Sequence, residues 1–273
     1  MKRRQFLSTA GWAAVGAAAV PGVLLANCSK KADNPDTPDT PEPPEPPGPD
    51  YGEPARDFRF VFQGDSVTES GRDKSAVVDD KNSWGYGYVS IIGNLLVNDF
   101  PRHRLGIFNR GWGGNATWDL FPRWKRDTLD LNADLLSLLI GVNHTIMDGA
   151  GTIAGFGGDI RNLVQQCRDQ NPDMIIVLGL PFMLPMGPYE STYETNYRPD
   201  LEARCNAIRE LAPEFDALVV DFLTMFEEAG KSKPYSYYLA DGVHPTAAGH
   251  ELMAKEWMRV VGERLPYFKK YVQ

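Results

Sequence analysis

Residues 59–71 (RFVFQGDSVTESG) join a short apolar run to a polar turn that contains a serine. The run at residues 59–63 predicts a buried β-strand, because short apolar runs bounded by turn residues are typical of strands. Four comparable runs predict further strands, at residues 105–109, 134–140, 174–180 and 217–222. Segments with helical periodicity separate these runs, at residues 86–99, 117–130, 152–170, 199–212 and 246–262. This alternation predicts an α/β domain with a five-stranded parallel sheet covered by helices on both faces.

The composition is that of an ordinary globular protein and argues against several functional classes. The chain has 273 residues, with 28 Lys and Arg against 36 Asp and Glu, so its net charge is −8. This acidic balance argues against a nucleic-acid partner, because binding the phosphate backbone requires clustered Lys and Arg. Three cysteines are too few for a disulfide scaffold, and four scattered histidines show no metal-ligand spacing.

Residues 1–28 have the layout of a bacterial export signal. A positive start (KRR) is followed by an Ala/Gly-rich apolar stretch and by the sequence LANC. LANC resembles a lipobox, which predicts a lipid on Cys28 and an exported lipoprotein at the periplasmic or cell-surface face of a membrane. The alternative is an uncleaved membrane anchor, although glycines and a proline interrupt the apolar run. The sequence RRQFL also resembles a twin-arginine motif, so the export route stays open.

Residues 29–56 are dominated by proline and acidic residues, as in NPDTPDTPEPPEPPGPDYGEP. Proline disfavours helix and sheet and like charges repel, so the segment is predicted to be an extended, polyproline-like linker. At about 3.1 Å per residue, some 20 residues could hold a domain up to ~60 Å from a membrane. Residues 57–273 then form a single predicted domain.

Four polar blocks follow predicted strands or precede the last predicted helix. They are GDSVTESG at residues 64–71, NRGWGGN at 109–115, GVNH at 141–144 and DGVHP at 241–245. In parallel sheets, functional groups collect beyond the carboxyl ends of the strands. We therefore expect these blocks to meet at one edge of the sheet.

In this order and placement, the four blocks resemble those of the SGNH (GDSL-type) hydrolase superfamily, over about residues 58–262. The resemblance implies a flavodoxin-like three-layer α/β/α fold, with residues 57–273 as the catalytic domain. It also implies serine-dependent ester hydrolysis without a metal or an organic cofactor. Carried over block by block, it makes Ser66 the nucleophile, with Asp241 and His244 completing a catalytic triad. It assigns the oxyanion hole to Ser66, Gly114 and Asn143.

The chemistry of these residue types agrees with that assignment. A serine hydroxyl is a poor nucleophile and needs an adjacent base. Histidine can take that proton near neutral pH and return it to the leaving alkoxide, and an aspartate can hold the imidazole tautomer. Each residue also has a structural alternative. Ser66 and Asp241 could be helix caps, Gly114 a turn residue, Asn143 part of an Asx turn, and His244 a surface residue.

Three further polar residues lie in or near the blocks. The superfamily usually has aspartate where this chain has His144, for which we favour a structural role over a substrate contact. His250 is expected in the first turn of the last helix, also with a structural role. Asp65 is expected to order the turn beside the nucleophile rather than to act as a base.

Two predicted loops near the site are rich in aromatic residues. Their candidate substrate-binding residues are Tyr189, Tyr193, Tyr237 and Tyr238, which could stack on sugar rings or simply pack. The stretches GDSVTESGR, WGYGYVSII and NRGWGGNAT resemble the carbohydrate O-acetylesterase branch of the superfamily. The expected activity is hydrolysis of acetyl or other short-chain esters, most of all on carbohydrates, through an acyl-enzyme.

Two alternatives to this function stay open. The first is a lipid-acyl esterase, lysophospholipase or thioesterase on the same fold. The second is a catalytically silent glycan-binding lipoprotein. A separate open question concerns Cys167 and Cys205 on consecutive predicted helices, which could pair in an oxidising compartment or remain two buried thiols.

Overall fold

The computed structural model describes residues 49–75, 81–147 and 151–272. The predicted signal peptide with its lipidation site Cys28 lies outside the described residues, and so do residues 29–48 of the predicted linker. The described residues belong to one compact unit that begins at Pro49. Among them, no helix has the length and hydropathy needed to cross a bilayer.

The last residues of the predicted linker pack against the domain. Pro54 is buried, and the Glu53 carboxylate lies 3.3 Å from Nε2 of His103. The Asp57 N–H donates to the His103 carbonyl at 2.7 Å. The folded domain therefore begins a few residues before the predicted boundary at residue 57.

Five parallel strands form the sheet of the described domain, in the order β2–β1–β3–β4–β5. They are β1 (Arg59–Gly64), β2 (Gly106–Asn109), β3 (Leu135–Leu139), β4 (Ile175–Gly179) and β5 (Leu218–Val220). Every residue of β3 is buried, as expected for a central strand covered on both faces. The predicted five-stranded parallel sheet is confirmed, and each strand overlaps its predicted run.

Helices alternate with the strands and cover both faces of the sheet. They are α1 (Ser66–Glu69), α2 (Tyr88–Asp99), α3 (Thr117–Asp127), α4 (Val142–Ile146), α5 (Ile153–Gln170), α6 (Arg198–Leu211), α7 (Phe222–Gly230), α8 (Tyr235–Tyr238) and α9 (Ala247–Val261). Helix α2 packs against α9, whereas α5 packs against both α3 and α6. Because crossovers are right-handed, the two groups lie on opposite faces. This is the predicted three-layer, flavodoxin-like architecture.

A tryptophan on each face of the sheet has its indole N–H satisfied. Trp257 of α9 lies 5.2 Å from the Phe62 ring and donates to the Ser137 hydroxyl at 3.0 Å. On the other face, Trp124 of α3 donates to the Leu163 carbonyl at 3.1 Å. The serine within the apolar third strand thus supplies the acceptor that a buried indole requires.

Four short helices were not predicted, namely α1, α4, α7 and α8. They span four to nine residues, which is too short for a clear periodic signal. Helix α7 begins at Phe222, the last residue of the fifth predicted strand. The Asp221 side chain caps it by accepting from the Thr224 N–H at 3.0 Å, so the strand ends earlier than the apolar run.

Candidate active site

The four polar blocks meet at the carboxyl edge of the sheet, where the strand order reverses between β1 and β3. In doubly wound sheets, this crevice is the usual ligand site. The block after β1 carries Ser66, the block after β3 carries Asn143, and the block before α9 carries His244.

Ser66 is the first residue of α1 and follows β1 after a single residue. That residue, Asp65, caps the helix through Oδ1, which accepts from the Val67 N–H at 3.0 Å. The turn requires Gly64, because a Cβ at this position would lie 2.4 Å from the Leu139 carbonyl oxygen. The local sequence Gly-Asp-Ser therefore forms a tight turn with the serine at the edge of the sheet.

Ser66 is joined to two residues that lie far away in sequence. Its Oγ lies 2.8 Å from Nε2 of His244, and Nδ1 of His244 lies 2.7 Å from Oδ2 of Asp241. With the Nδ1 proton donated to the carboxylate, Nε2 can accept the serine proton. The arrangement can deprotonate the serine as its oxygen attacks a carbonyl carbon.

Asp241 is held by the backbone of its own block. Its Oδ1 accepts from the N–H groups of Val243 at 2.9 Å and His244 at 2.8 Å. Burial by itself would raise the pKa of Asp241, but these hydrogen bonds and the contact with the His244 ring outweigh it. The pKa of Asp241 lies below its usual value, so the carboxylate is charged at neutral pH.

Of the predicted oxyanion donors, Gly114 lies in the loop after β2 and Asn143 in the first turn of α4. The Asn143 Nδ2 donates to the Asn115 carbonyl at 3.0 Å, and an amide group has a second N–H for a ligand. Gly114 has a φ of 78°, which L side chains rarely adopt, and a Cβ there would meet no described atom within 4 Å. The Ser66 N–H belongs to the first turn of α1, where N–H groups have no intrahelical acceptor.

Glu69 was not singled out from the sequence, yet it links the nucleophile helix to the second block. Its Oε2 accepts from the Gly113 N–H, and its Oε1 lies 2.8 Å from Nζ of Lys74. A Cβ at Gly113 would lie 3.7 Å from the Ser66 Cβ, so this loop runs directly beside the nucleophile. Glu69 could have been found from the sequence as an acidic residue about one helical turn after Ser66.

A buried polar layer lies behind the nucleophile helix. Nδ1 of His250 accepts from the Tyr88 N–H at 3.2 Å, and Nε2 lies 3.1 Å from Oγ of Ser70. Burial, with a smaller effect of the His244 charge, lowers the pKa of His250 to about 4, so the ring is neutral at pH 7. Burial raises the pKa of Asp65 to about 7. These positions agree with the structural roles expected for His250 and Asp65.

His144 is also buried and connects the third block to the start of α3. Its Nε2 accepts from the Thr117 N–H at 3.0 Å. Its ring meets those of Trp118 and Phe156 edge-on, with centroids 4.6 and 5.1 Å away. The structural role that we favoured for His144 agrees with this environment.

The four candidate substrate-binding tyrosines differ in accessibility. Tyr193 is buried, with 1% exposure, and its hydroxyl donates to a backbone carbonyl at 2.7 Å. A substrate cannot reach it, so its expected role is corrected to core packing. Tyr189 is half-buried beside Gly242, whereas Tyr237 is exposed and Tyr238 half-buried on α8. These three lie within or directly before the segments that form the site.

The two cysteines of the described domain remain unpaired thiols. Cys167 and Cys205 are both buried, and both thiols are free. Burial raises the pKa of each thiol to about 12, so neither is a reactive thiolate. Among the described residues, no three His, Cys, Asp or Glu side chains are grouped to hold a metal ion.

A three-layer α/β/α fold with a serine–histidine–aspartate set at its carboxyl edge defines a serine hydrolase, and the matching family makes it a carboxylic ester hydrolase. The family is shown by comparison with known proteins. The model of the GDSL-like lipase/acylhydrolase family matches residues 62–252, and the chain belongs to this family.

Known relatives point to one branch of that family. An acetylxylan esterase of Geobacillus stearothermophilus is 26% identical over 218 residues, which cover 75% of this chain and 94% of that protein. Its solved structure superposes with a TM-score of 0.67 and covers 76% of this chain and 95% of that one. A candidate GDSL-like lipase of Parabacteroides merdae gives a TM-score of 0.72 at 34% identity, covering 78% and 99% of the two chains. The predicted resemblance to SGNH hydrolases and their carbohydrate esterases is confirmed.

Proposed function

We propose that this protein is a serine esterase that removes acetyl groups from carbohydrates through an acyl-enzyme. The observation that carries the proposal is the continuous hydrogen-bonded set of Ser66, His244 and Asp241. A nucleophile, a base and a residue that orients the base are what ester hydrolysis by serine requires.

In the first half of the reaction, Oγ of Ser66 attacks the acetyl carbonyl carbon while Nε2 of His244 takes the hydroxyl proton. Asp241 stabilises the imidazolium that forms. The negative oxygen of the tetrahedral intermediate accepts from the N–H groups of Ser66 and Gly114 and from the Asn143 amide. His244 then gives its proton to the sugar oxygen, which leaves as a hydroxyl group.

In the second half, a water molecule attacks the acetyl-enzyme. His244 accepts the water proton, and the same three donors stabilise the second tetrahedral intermediate. Collapse of this intermediate releases acetate and returns the proton to Ser66. Because His244 is regenerated as a neutral base, no other proton carrier is needed.

Two observations support an acetylated carbohydrate as the substrate. The Geobacillus relative is an acetylxylan esterase in which a serine and an aspartate are catalytic, the residue types that Ser66 and Asp241 supply here. The side chains of His244 and Asp241 are 50% and 45% exposed, so the site is open to a bulky polymer. An open site fits an acetyl group on a glycan better than an enclosed acyl tunnel would.

The experiment that tests the proposal is acetate release from a panel of acetylated plant and host glycans, with wild type against Ser66→Ala. We expect release by the wild type and a background rate for the variant. If neither glycans nor p-nitrophenyl acetate are hydrolysed by the folded wild type, the proposal fails and the silent glycan-binding alternative takes its place.

A lipid-acyl esterase is the second candidate, and one observation favours it. An apolar groove between α2 and α9 begins at Ala247, three residues after His244, and continues past Leu95 to Met258. A long acyl chain could lie there. Comparing p-nitrophenyl acetate with the octanoate separates the candidates, and a strong preference for octanoate would overturn the acetylesterase proposal.

We also propose that the protein is exported and anchored through a lipid on Cys28. The support is the sequence of residues 1–28, with its positive start and its lipobox-like LANC. Labelling cells with a palmitate analogue should mark the wild type but not Cys28→Ala. Equal labelling of both, or of neither, would overturn the lipoprotein assignment.

A further inference from the structure

A groove of about 500 Å³ lies beside the nucleophile turn, on the side of the edge strand β2. Its charged and aromatic lining consists of Arg72, Lys74, Arg110, Trp112, Arg126 and Asp127. None of these residues belongs to the triad or to the oxyanion hole. The groove is therefore separate from the chemistry, although it adjoins it.

Two contacts and one close approach of the backbone connect one end of the groove to the nucleophile. Lys74 pairs with Glu69, and Glu69 accepts from the N–H of Gly113, the residue after Trp112. The backbone at Gly113 lies beside Ser66, because a Cβ added at Gly113 would lie 3.7 Å from the Ser66 Cβ. A molecule whose ester lies at Ser66 can therefore extend past Trp112 into the groove.

The other end of the groove lies at the carboxyl end of α3. Arg126 and Asp127 are the last two residues of that helix. The Asp127 backbone carbonyl accepts from the Gln63 amide at 3.0 Å, which fixes this end against β1. The groove thus extends from the loop after β2 to the carboxyl end of α3.

The lining is strongly positive, although the whole chain carries a net charge of −8. In the described part of the chain, four cations line it against one carboxylate, that of Asp127. Arg126 pairs with that carboxylate at 2.6 Å, and Lys74 pairs with Glu69 at 2.8 Å. Among the described residues, no carboxylate lies within salt-bridge distance of the Arg72 guanidinium. The Asp127 carboxylate also pairs with Arg123 at 3.3 Å, so it compensates Arg126 only in part, and Arg72 adds a further positive charge to the groove.

Arg72 is the least solvated of these cations. It is 8% exposed, and its Nε donates to the Gly111 carbonyl at 2.8 Å. Burial, followed by repulsion from Arg110, lowers the pKa of Arg72 to about 10, so it is still charged at neutral pH. An anion in the groove would relieve this repulsion.

Trp112 adds an aromatic surface at the end nearest Ser66. Its side chain is exposed, and Nζ of Lys74 lies 4.6 Å from the ring centroid. The Arg72 guanidinium carbon lies 5.9 Å from the same ring. A ligand that packs against this indole meets two cations at once, a combination that suits a ring carrying a negative charge.

We propose that this groove binds a sugar carboxylate, that is, a uronic acid carried by the same glycan whose acetyl group lies at Ser66. The inference rests on the proposed function, since it assumes a carbohydrate substrate. Guanidinium groups bind planar carboxylates with paired, charge-assisted hydrogen bonds. The substrate class is then an acetylated acidic polysaccharide rather than a neutral one.

Binding can be measured without turnover in the Ser66→Ala background. The probes are xylotetraose, xylotetraose bearing one glucuronic acid, and sulfated xylotetraose, titrated by calorimetry. We expect the uronate probe to bind about tenfold more tightly than the neutral one, which is the size of one charge-assisted hydrogen bond. This preference should fall in high salt, because the groove is open to ions.

The variant pair assigns that preference to the groove. In the same background, Lys74→Gln/Arg126→Gln should reduce the preference to about threefold or less. The matched control is Lys255→Gln/Arg259→Gln, which also removes one lysine and one arginine that are paired with carboxylates, on the exposed face of α9. The control should keep the full preference, and circular dichroism should show that both double variants are folded.

Three outcomes would overturn the inference. They are equal affinity for the neutral and uronate probes, a preference that survives in the groove variant, and tighter binding of the sulfated probe. Wild-type turnover of p-nitrophenyl acetate tests the proposed function independently. Turnover without a preference for the uronate probe would overturn only the proposal that the groove binds a sugar carboxylate. Absence of turnover would overturn the proposed esterase function and would leave the measured binding preference valid.

Discussion

The loop that carries His244 and the first turn of α9, which carries His250, are neighbours in sequence and differ in the properties that decide what a histidine does. The His244 side chain is 50% exposed and bonded to the Asp241 carboxylate. His250 is 3% exposed, and its partners are the Ser70 hydroxyl and the Tyr88 N–H. The Asp241 carboxylate can stabilise the imidazolium that His244 forms during the reaction, whereas burial keeps the His250 ring neutral.

The difference between the two histidines shows how residues 241–250 supply both the catalytic base and a buried side chain that holds neighbouring helices in place. A general base must become charged during the reaction, and a nearby carboxylate lowers the free energy of that charged form. A ring buried without a carboxylate pays a desolvation penalty instead, so it is suited to hold its neighbours in place. His250 thus supports α1 and α2 from behind while His244 faces the substrate.

The largest effect is expected for His244→Gln. Removing the base should lower kcat for p-nitrophenyl acetate on the order of 10⁶-fold, since the serine loses its proton acceptor. The melting temperature should change little, because the side chain is half exposed. His103→Gln is the matched control outside the site, and a His244 variant within tenfold of wild type would contradict the comparison.

Asp241→Asn should lower kcat by about 10⁴-fold. The asparagine Oδ1 can keep both backbone N–H bonds, but its Nδ2 would face Nδ1 of His244 and favour the tautomer with a proton on Nε2. That tautomer cannot accept the serine proton. Stopped-flow or initial-rate kinetics would check this, and an unchanged kcat would show that Asp241 does not orient the base.

His250→Gln should act on stability rather than on chemistry. Loss of the acceptor for the Tyr88 N–H and of ring packing should lower the free energy of unfolding by about 1–3 kcal/mol at pH 7. We expect kcat to stay within about tenfold of wild type, whereas the His244 variant loses it. A near-complete loss of kcat in a folded His250 variant would remove the distinction between the two rings.

The low pKa of His250 also predicts how the stability difference between wild type and His250→Gln depends on pH. The pKa of His250 is about 4 in the folded state against 6.5 for the ordinary group, so its neutral form stabilises the fold fully above pH 6.5. This contribution is lost as the pH falls towards about 4, because the unfolded state then binds the proton more strongly. The stability advantage of wild type over His250→Gln should therefore shrink across this range in denaturant titrations.

At pH 4, Asp65→Asn should have little effect, and its pH dependence has the opposite sign to that of His250→Gln. The folded pKa of Asp65 is about 7 against 3.8, so the protonated carboxyl and asparagine are equivalent at low pH. The two proteins should then differ by about 1 kcal/mol or less at pH 4, since both residues cap helices well. As the pH rises towards 7, wild type should lose stability relative to the variant. A constant difference would show that Asp65 is not buried as a neutral group.

Much of the sheet and of the triad could be predicted from the sequence because the signals are local. The apolar run at residues 134–140 is long enough to indicate a buried strand, and β3 lies within it. The helix at Phe222–Gly230 could not be predicted, because its start depends on a cap at Asp221 within an apolar run. The choice between sugar stacking and packing for Tyr193 could not be made for a related reason, since an aromatic residue in a loop looks the same in sequence whether it is exposed or buried.

The basic groove shows the same limit on a larger scale. Lys74, Trp112 and Arg126 come from three separate stretches of the chain, and each appears as an ordinary surface residue in sequence. Only the packing of the end of α3 beside the loops after β1 and β2 places them around one space. Glu69 was missed likewise, because its partner Gly113 lies 44 residues away.

The sequence by itself determined the alternation of strands and helices, the chemical groups of the site and their order along the chain. These follow from periodicity and from short motifs, which depend only on near neighbours. The tertiary structure alone decided that His244 is half exposed and that His250 is buried behind the nucleophile helix. Exposure and pKa depend on which distant residues surround a side chain, and folding brings those residues together.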